Sequence, residues 1–435
     1  MKVIKMNDNT RFKIKEVKAR EILDCRGNPT IEVDVITEDN VLGRADAPSG
    51  RSRGRYEAFE LRDGNARYAG RGVLKALKNI KEIIAPALRG RDVRNQREID
   101  AVMIELDGTE NKSRLGANAI VATSLAVAKA AANALSLPLY RYIGGPNAHM
   151  LPVPMLILIT GGKLAATDLD FQEFSAMPIG AKSFSEAIRI GTEVYFKLGE
   201  LLAKKYSKYA LNVGDEGSYA PPGMKDPRDA FEIILKAIEE LGYEEMFVLA
   251  MDAAASHLYD EKKGKYHLMG KELTREELLE VYEDLVKTFP LKSIEDPFHE
   301  DDFKGFAEIT KTLNVQIVGD DLFATNIKRL MKGIEIGAAN ALLLKVNQVG
   351  TLTEALDAAS LALKHGYSVI VSERSGQTED NWLADLAVAV NAGQLKNGAP
   401  CRSERTAQFN QLLRIEEELG KSAKYAGRSY RQPIC

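Results

Sequence analysis

At 435 residues, with 45% apolar and 28% charged side chains and a net charge of −3, the chain has an ordinary globular composition. Its length predicts two domains, one large enough for a barrel of roughly 250 residues. The balanced charge argues against a generic nucleic-acid binder, and no apolar run approaches the roughly 18 residues of a membrane span. The first eight residues, Met1 to Asp8, lack the apolar centre of a signal peptide, so a cytoplasmic protein is expected. Cys25, Cys401 and Cys435 are odd in number and far apart, which indicates neither a disulfide framework nor a zinc site.

Residues 13–41 read as antiparallel strands broken at Gly27-Asn28-Pro29, with Ile31, Val33 and Val35 alternating against Glu32 and Asp34. A glycine-bounded loop, Pro48 to Tyr56, follows, then helical patterns over 73–87, 96–106 and 117–135, giving an α+β domain. Gly144-Gly145-Pro146-Asn147 predicts the boundary, with the first domain over 1–146 and the second over 147–435. A new apolar run then starts at Leu151-Pro152-Val153-Pro154 and ends in Thr160-Gly161-Gly162.

Beyond it, five apolar runs each stop at charged residues. The run over 247–251 ends at Asp252, 291–294 at Glu295, 315–318 at Gly319-Asp320-Asp321, 341–344 at Lys345, and 367–371 at Ser372-Glu373-Arg374. Helical patterns over 276–288, 307–313 and 352–364 lie between them, as the βα units of a parallel barrel require. A single charge after a strand usually opens a solvated loop. Five in succession fit one pocket, because all strand C-termini of such a barrel open onto one face.

Asp252, Glu295 and Asp320 would offer three carboxylates around one point, a hard-oxygen site suited to Mg²⁺. The cation would relieve their mutual repulsion and depress the pKa of Lys345 one strand further round, making it a base. The chemistry implied is removal of a proton next to a carboxylate, with metal ions holding the charge that develops on the carboxylate oxygens. Glu216, after Asn212-Val213-Gly214-Asp215, and Glu173, beside Gln172, are each candidates for the general acid. Arg374-Ser375-Gly376 reads as an anion seat, and Lys396-Asn397-Gly398 as a holder of a second anionic group.

These residues resemble the enolase (phosphopyruvate hydratase) family over nearly the whole chain. Asp24 to Thr30 resembles that family's DSRGNPT and Leu115 to Ile120 its LGANAI. Val213 to Gly217, Ser293 to Phe298, Val318 to Leu322, Leu342 to Gln348 and Gly398 to Arg405 are similar in the same way. The resemblance implies an α/β fold in which an α+β domain precedes an enolase-type (β/α)8 barrel, usually in a dimer. It implies two Mg²⁺ per site, the first held by Asp252, Glu295 and Asp320, the second with a contribution from Ser52 on loop closure. Lys345 becomes the base, and Glu216 with Glu173 the acid side. Arg374 and Ser375 would hold the phosphate of a small phosphorylated carboxylate, and Lys396 the carboxylate region, with Gln172 close by.

Four departures fall in this pocket. Where the family has histidines, this chain has Glu373 and Leu164, and its mobile loop Pro48 to Gly54 carries Arg51 and Arg53. A carboxylate ~6 Å from a substrate phosphate costs on the order of 3 kcal/mol at an effective dielectric of about 20, roughly a hundredfold in binding. Arg51 or Arg53 is therefore expected to neutralise Glu373 as the loop closes. The leading expectation is a related enzyme with shifted specificity for a phosphorylated hydroxy acid. Ordinary enolase chemistry on 2-phosphoglycerate is the first alternative, and a non-catalytic protein on the same scaffold the second.

Overall fold

The computed structural model describes residues 10–165 and 167–431. The N-terminal stretch read for a targeting signal, Ala166 and Cys435 lie outside the described residues.

The first domain is built on an antiparallel sheet of Ile14–Leu23, Pro29–Thr37 and Leu42–Asp46. Its register pairs Val17 with Val35, Ala19 with Val33 and Glu21 with Ile31. The alternating Ile31, Val33 and Val35 are buried under the helix Ala117–Ala134. That helix reaches the sheet through small residues. A Cβ at Gly43 would lie 2.2 Å from the Ala126 carbonyl oxygen and the Ala130 nitrogen, so only glycine permits the contact. The helix predicted over 73–87 forms as Leu74–Asn79, a π turn Ile80–Ile84, and Ala85–Leu88. Pro86 has no N–H to give the Glu82 carbonyl, which accounts for the widened turn.

The second domain closes an eight-stranded barrel in the order Val153–Thr160, Glu173–Met177, Val248–Asp252, Leu291–Glu295, Gln316–Gly319, Ala341–Leu344, Ser368–Ser372 and Gly393–Lys396. All five runs that end in charges are barrel strands. The barrel departs from uniformly parallel pairing at Glu173–Met177, which runs antiparallel to both neighbours. Only a loop connects it to Val153–Thr160, whereas a parallel return needs a crossover, usually a helix.

This reversal positions the site. An antiparallel strand begins where its neighbours end, so Glu173 sits opposite Thr160 on one side and Asp252 on the other. Asp252 in turn faces Glu295, and Ser372 faces Lys396. Residues level in register share a face of the sheet, so Glu173, Asp252 and Glu295 project together at the barrel mouth. Among the described residues, no single helix is long and apolar enough to cross a membrane.

Candidate active site

Glu173, Glu216, Asp252, Asp320, Lys345, Glu373, Arg374 and Lys396 all line one cavity at this mouth, together with Ser52, Gln172, Ser375 and Leu164. Seven acidic residues line it against three basic ones, an excess of acidic oxygen. Such an excess in a buried, oxygen-rich pocket is what a hard divalent cation stabilises.

Two ammonium groups share the proposed ligand trio. Lys396 Nζ lies 2.9 Å from both Glu295 oxygens and 3.2 Å from Asp252 Oδ2. It also forms an ion pair with Glu173 Oε2 at 2.8 Å. Lys345 Nζ donates to Asp320 Oδ2 at 2.5 Å, and Gln348 Nε2 to Asp320 Oδ1 at 2.7 Å. Asp252 further accepts from Gln172 Nε2 at 3.0 Å and from the Ala254 amide at 2.8 Å. All three carboxylates are buried and offer only oxygen, Asp252 and Asp320 line the cavity, and Glu295 is tied to it through Lys396, so they fit a Mg²⁺ ion. Among the described residues, the three carboxylates whose oxygens lie within 4.8 Å of one another are instead Asp296, Asp320 and Asp321. Asp296 spends its oxygens on the Asp320 and Asp321 amides, at 3.0 and 2.7 Å. It holds its own backbone at φ 42° and braces the loop that presents Asp320.

The electrostatics separate acid from base. Burial pushes Glu173 up to about 8, against the pull of Lys396. Burial also raises Glu295 well above the carboxylate range, and the Asp252 charge adds to it. Asp320 goes the other way: burial opposes its charge, but Lys345 holds it below its usual value. The protein's own groups act on Lys345 in both directions. Burial acts to lower it, yet the Asp320 carboxylate overrides that and raises it. The downward shift requires positive charge at Asp320 other than the lysine's own.

The anion seat is already spanned by the loop around Ser52. The Arg374 guanidinium donates to Glu57 Oε2 at 2.7 Å and to the Ser52 carbonyl at 3.0 Å. Ser375 Oγ accepts from the Arg51 amide at 2.8 Å and from Arg26 Nη1 at 3.0 Å. Ser52 Oγ does not face the carboxylates in this arrangement. It meets His257 Nε2 at 2.5 Å, while His257 Nδ1 meets Lys163 Nζ at 2.9 Å.

The expectation for Glu373 needs correction. Its charge is countered from inside the protein: the fully buried Arg405 donates to Glu373 Oε2, and to the Arg374 and Ser375 carbonyls at 2.8 Å each. Arg51 instead pairs with Asp215 at 3.0 Å and Arg53 with Glu60 at 3.3 Å. Burial still pushes Glu373 well above the carboxylate range, with Arg405 pulling against it. Arg51 and Arg53 meet partly buried carboxylates close to their own loop, whereas the buried Glu373 must have a partner fixed in the interior. It follows that Glu373→His and Arg53→Thr act independently. Their effects on kcat/KM should add within about 0.5 kcal/mol, and a larger interaction in the double variant would restore the loop-pairing account.

Arg405, Asp296, Glu57, Gln348 and His257 were missed as functional residues by reasoning from run ends. Arg405, Asp296 and Gln348 each had a signal, lying in the segments Gly398 to Arg405, Ser293 to Phe298 and Leu342 to Gln348 that carry the resemblance.

Comparison with known proteins bears on the whole chain. Residues 14–143 match the N-terminal domain of enolase, and residues 148–434 match the enolase C-terminal TIM barrel domain. The chain is 60% identical over 424 residues to Enolase from Methanocaldococcus jannaschii, covering 98% of this chain and 99% of that protein. It is 62% identical over 425 residues to Enolase from Pyrococcus furiosus, covering 97% and 98% respectively. Similarity of this extent favours the ordinary enzyme over a relative of shifted specificity. Both domains and two end-to-end relatives therefore agree with the barrel-mouth chemistry: the chain belongs to the enolase family and is a lyase of the phosphopyruvate hydratase type.

Proposed function

We propose that the chain interconverts 2-phosphoglycerate and phosphoenolpyruvate, using Mg²⁺ held by Asp252, Glu295 and Asp320. The observation carrying this reading is the one cavity lined by Asp252, Asp320, Lys345, Arg374 and Lys396, with Glu295 tied to it by Lys396 Nζ at 2.9 Å. Bound there, Mg²⁺ supplies positive charge for the substrate carboxylate as negative charge develops on it. Lys345 Nζ takes the proton from the carbon next to the carboxylate, and the electron pair moves onto the carboxylate oxygens. Glu173, favoured in its protonated form by burial, acts with Glu216 to give a proton to the departing hydroxyl, which leaves as water. Arg374 and Ser375 hold the phosphate through a guanidinium fork and a hydroxyl. Lys396 and Gln172 hold the carboxylate end.

With saturating Mg²⁺ and 2-phosphoglycerate, product absorbance should rise with a turnover within tenfold of the enzyme median of about 10 s⁻¹. A turnover below about 0.1 s⁻¹ would return the shifted-specificity reading to first place. Chelating the cation should reduce the rate to background, and added Mg²⁺ should restore it; activity that survives chelation excludes the assigned role of the carboxylates.

A further inference from the structure

On the outer side of the loop that covers the active site lies a second cleft, of about 500 Å³, in the size range of small-molecule sites. Five arginines line it, Arg26, Arg51, Arg53, Arg62 and Arg71, against two carboxylates, Glu60 and Asp215. The remaining lining is Asn28, Ser49 and Gly50, so no apolar or aromatic side chain is present to receive a hydrophobic group.

The arginines are unequally satisfied. Arg26 and Arg62 are tied down, Arg26 to Asp24, Ser375 and the Ser49 carbonyl, Arg62 to Glu60, Ser49 and two backbone carbonyls. Arg51 and Arg53 are about half exposed, at 51% and 49%, each with one carboxylate partner. Glu60 is shared between Arg53 and Arg62. The exposed Arg71 donates from Nη1 to Asn28 Oδ1 at 2.8 Å and, among the described residues, has no carboxylate partner. A guanidinium keeps its charge at any physiological pH and presents five donors, so most of those on Arg51, Arg53 and Arg71 remain available to a ligand.

We propose that this cleft is a second anion site, taking the diphosphate group of a small polyanion and acting on the reaction through the covering loop. Convergent guanidinium groups with a polar floor match phosphate oxygens, and nothing in the lining would recognise the rest of an organic ligand. The loop is a thin partition between the two cavities. Ser49 and Gly50 line the outer cleft, while a Cβ at Gly50 would lie 1.8 Å from Arg374 Nη2 on the inner side. The Arg51 amide holds Ser375 inward as its side chain points to Asp215. An anion bridging Arg51 and Arg53 to Arg71 thus ties the loop to the body of the N-terminal domain and changes the ease of opening.

Anion binding at this cleft does not depend on the proposed reaction, whereas its effect on the rate rests on that reading. Pyrophosphate is the probe, titrated calorimetrically into the Mg²⁺-loaded enzyme with free Mg²⁺ held constant. Arg71→Glu should weaken its binding by about tenfold or more and leave kcat and KM within about twofold. Arg51→Ala, with thermal unfolding unchanged, should weaken it as well. Pyrophosphate should alter the rate in a manner that saturating substrate does not abolish. A nucleoside diphosphate should bind within about threefold of pyrophosphate, since only the phosphates are recognised. Binding unaffected by both substitutions, inhibition that is purely competitive with substrate, or a requirement for the nucleoside would each overturn the proposal. The calorimetric result needs no turnover, so its failure is distinguishable from failure of the reaction assigned above.

Discussion

Lys345→Ala is expected to lower kcat by about a thousandfold or more while leaving KM within a fewfold. The lysine follows the strand Ala341–Leu344, its amide is fixed by Thr325 Oγ1 at 3.0 Å, and its ammonium already rests on Asp320. Position alone therefore brings the amine to the carboxylates, and the reaction assigned to it is the proton removal itself. Removing a general base commonly costs 10²–10⁴-fold, and an interaction used only in the transition state lowers kcat and kcat/KM together. Two measurements check it: steady-state turnover, and deuterium uptake from solvent at the carbon bearing the phosphate. Uptake near the unaltered rate would remove Lys345 from the role of base even if turnover fell.

The second large effect concerns stability. Arg405→Leu should reduce the free energy of unfolding by roughly 3–5 kcal/mol, because it strands the Glu373 carboxylate in the interior. It also removes the donor to two buried carbonyls, those of Arg374 and Ser375. Adding Glu373→Leu relieves the stranded charge but not the carbonyls. The double variant should therefore recover about 2 kcal/mol, leaving a residual loss. Denaturant unfolding of the three variants gives the coupling directly. If the double variant is as unstable as the sum of the singles, the pair is incidental and the damage lies in packing.

Much of the barrel and its chemistry was legible because strand ends and catalytic positions coincide in this architecture. Asp252, Glu295, Asp320, Lys345 and Glu373 are each the last residue of an apolar run or close behind it, which is a local signal. The strand Gly393–Lys396 gave none, since Gly393, Gln394 and Lys396 interrupt any apolar pattern and its pairing is entirely long-range. The reversed direction of Glu173–Met177 was equally hidden, because strand direction is set by the connection and not by the residues of the strand. Partner choice was the least accessible. Arg51 and Arg53 sit near the pocket in sequence logic yet satisfy Asp215 and Glu60, while Arg405, which lies at the start of the helix Ser403–Leu419, supplies the buried countercharge.

The reversed strand has a mechanical consequence. A crossover helix would have clamped the stretch after Thr160 to the barrel's outer wall. The direct return leaves those residues to arch over the opening, where Leu164 contributes an apolar roof and Lys163 grips His257, which in turn holds Ser52 on the facing loop. The barrel's antiparallel strand is thus what gives the two halves of its cover something to close against.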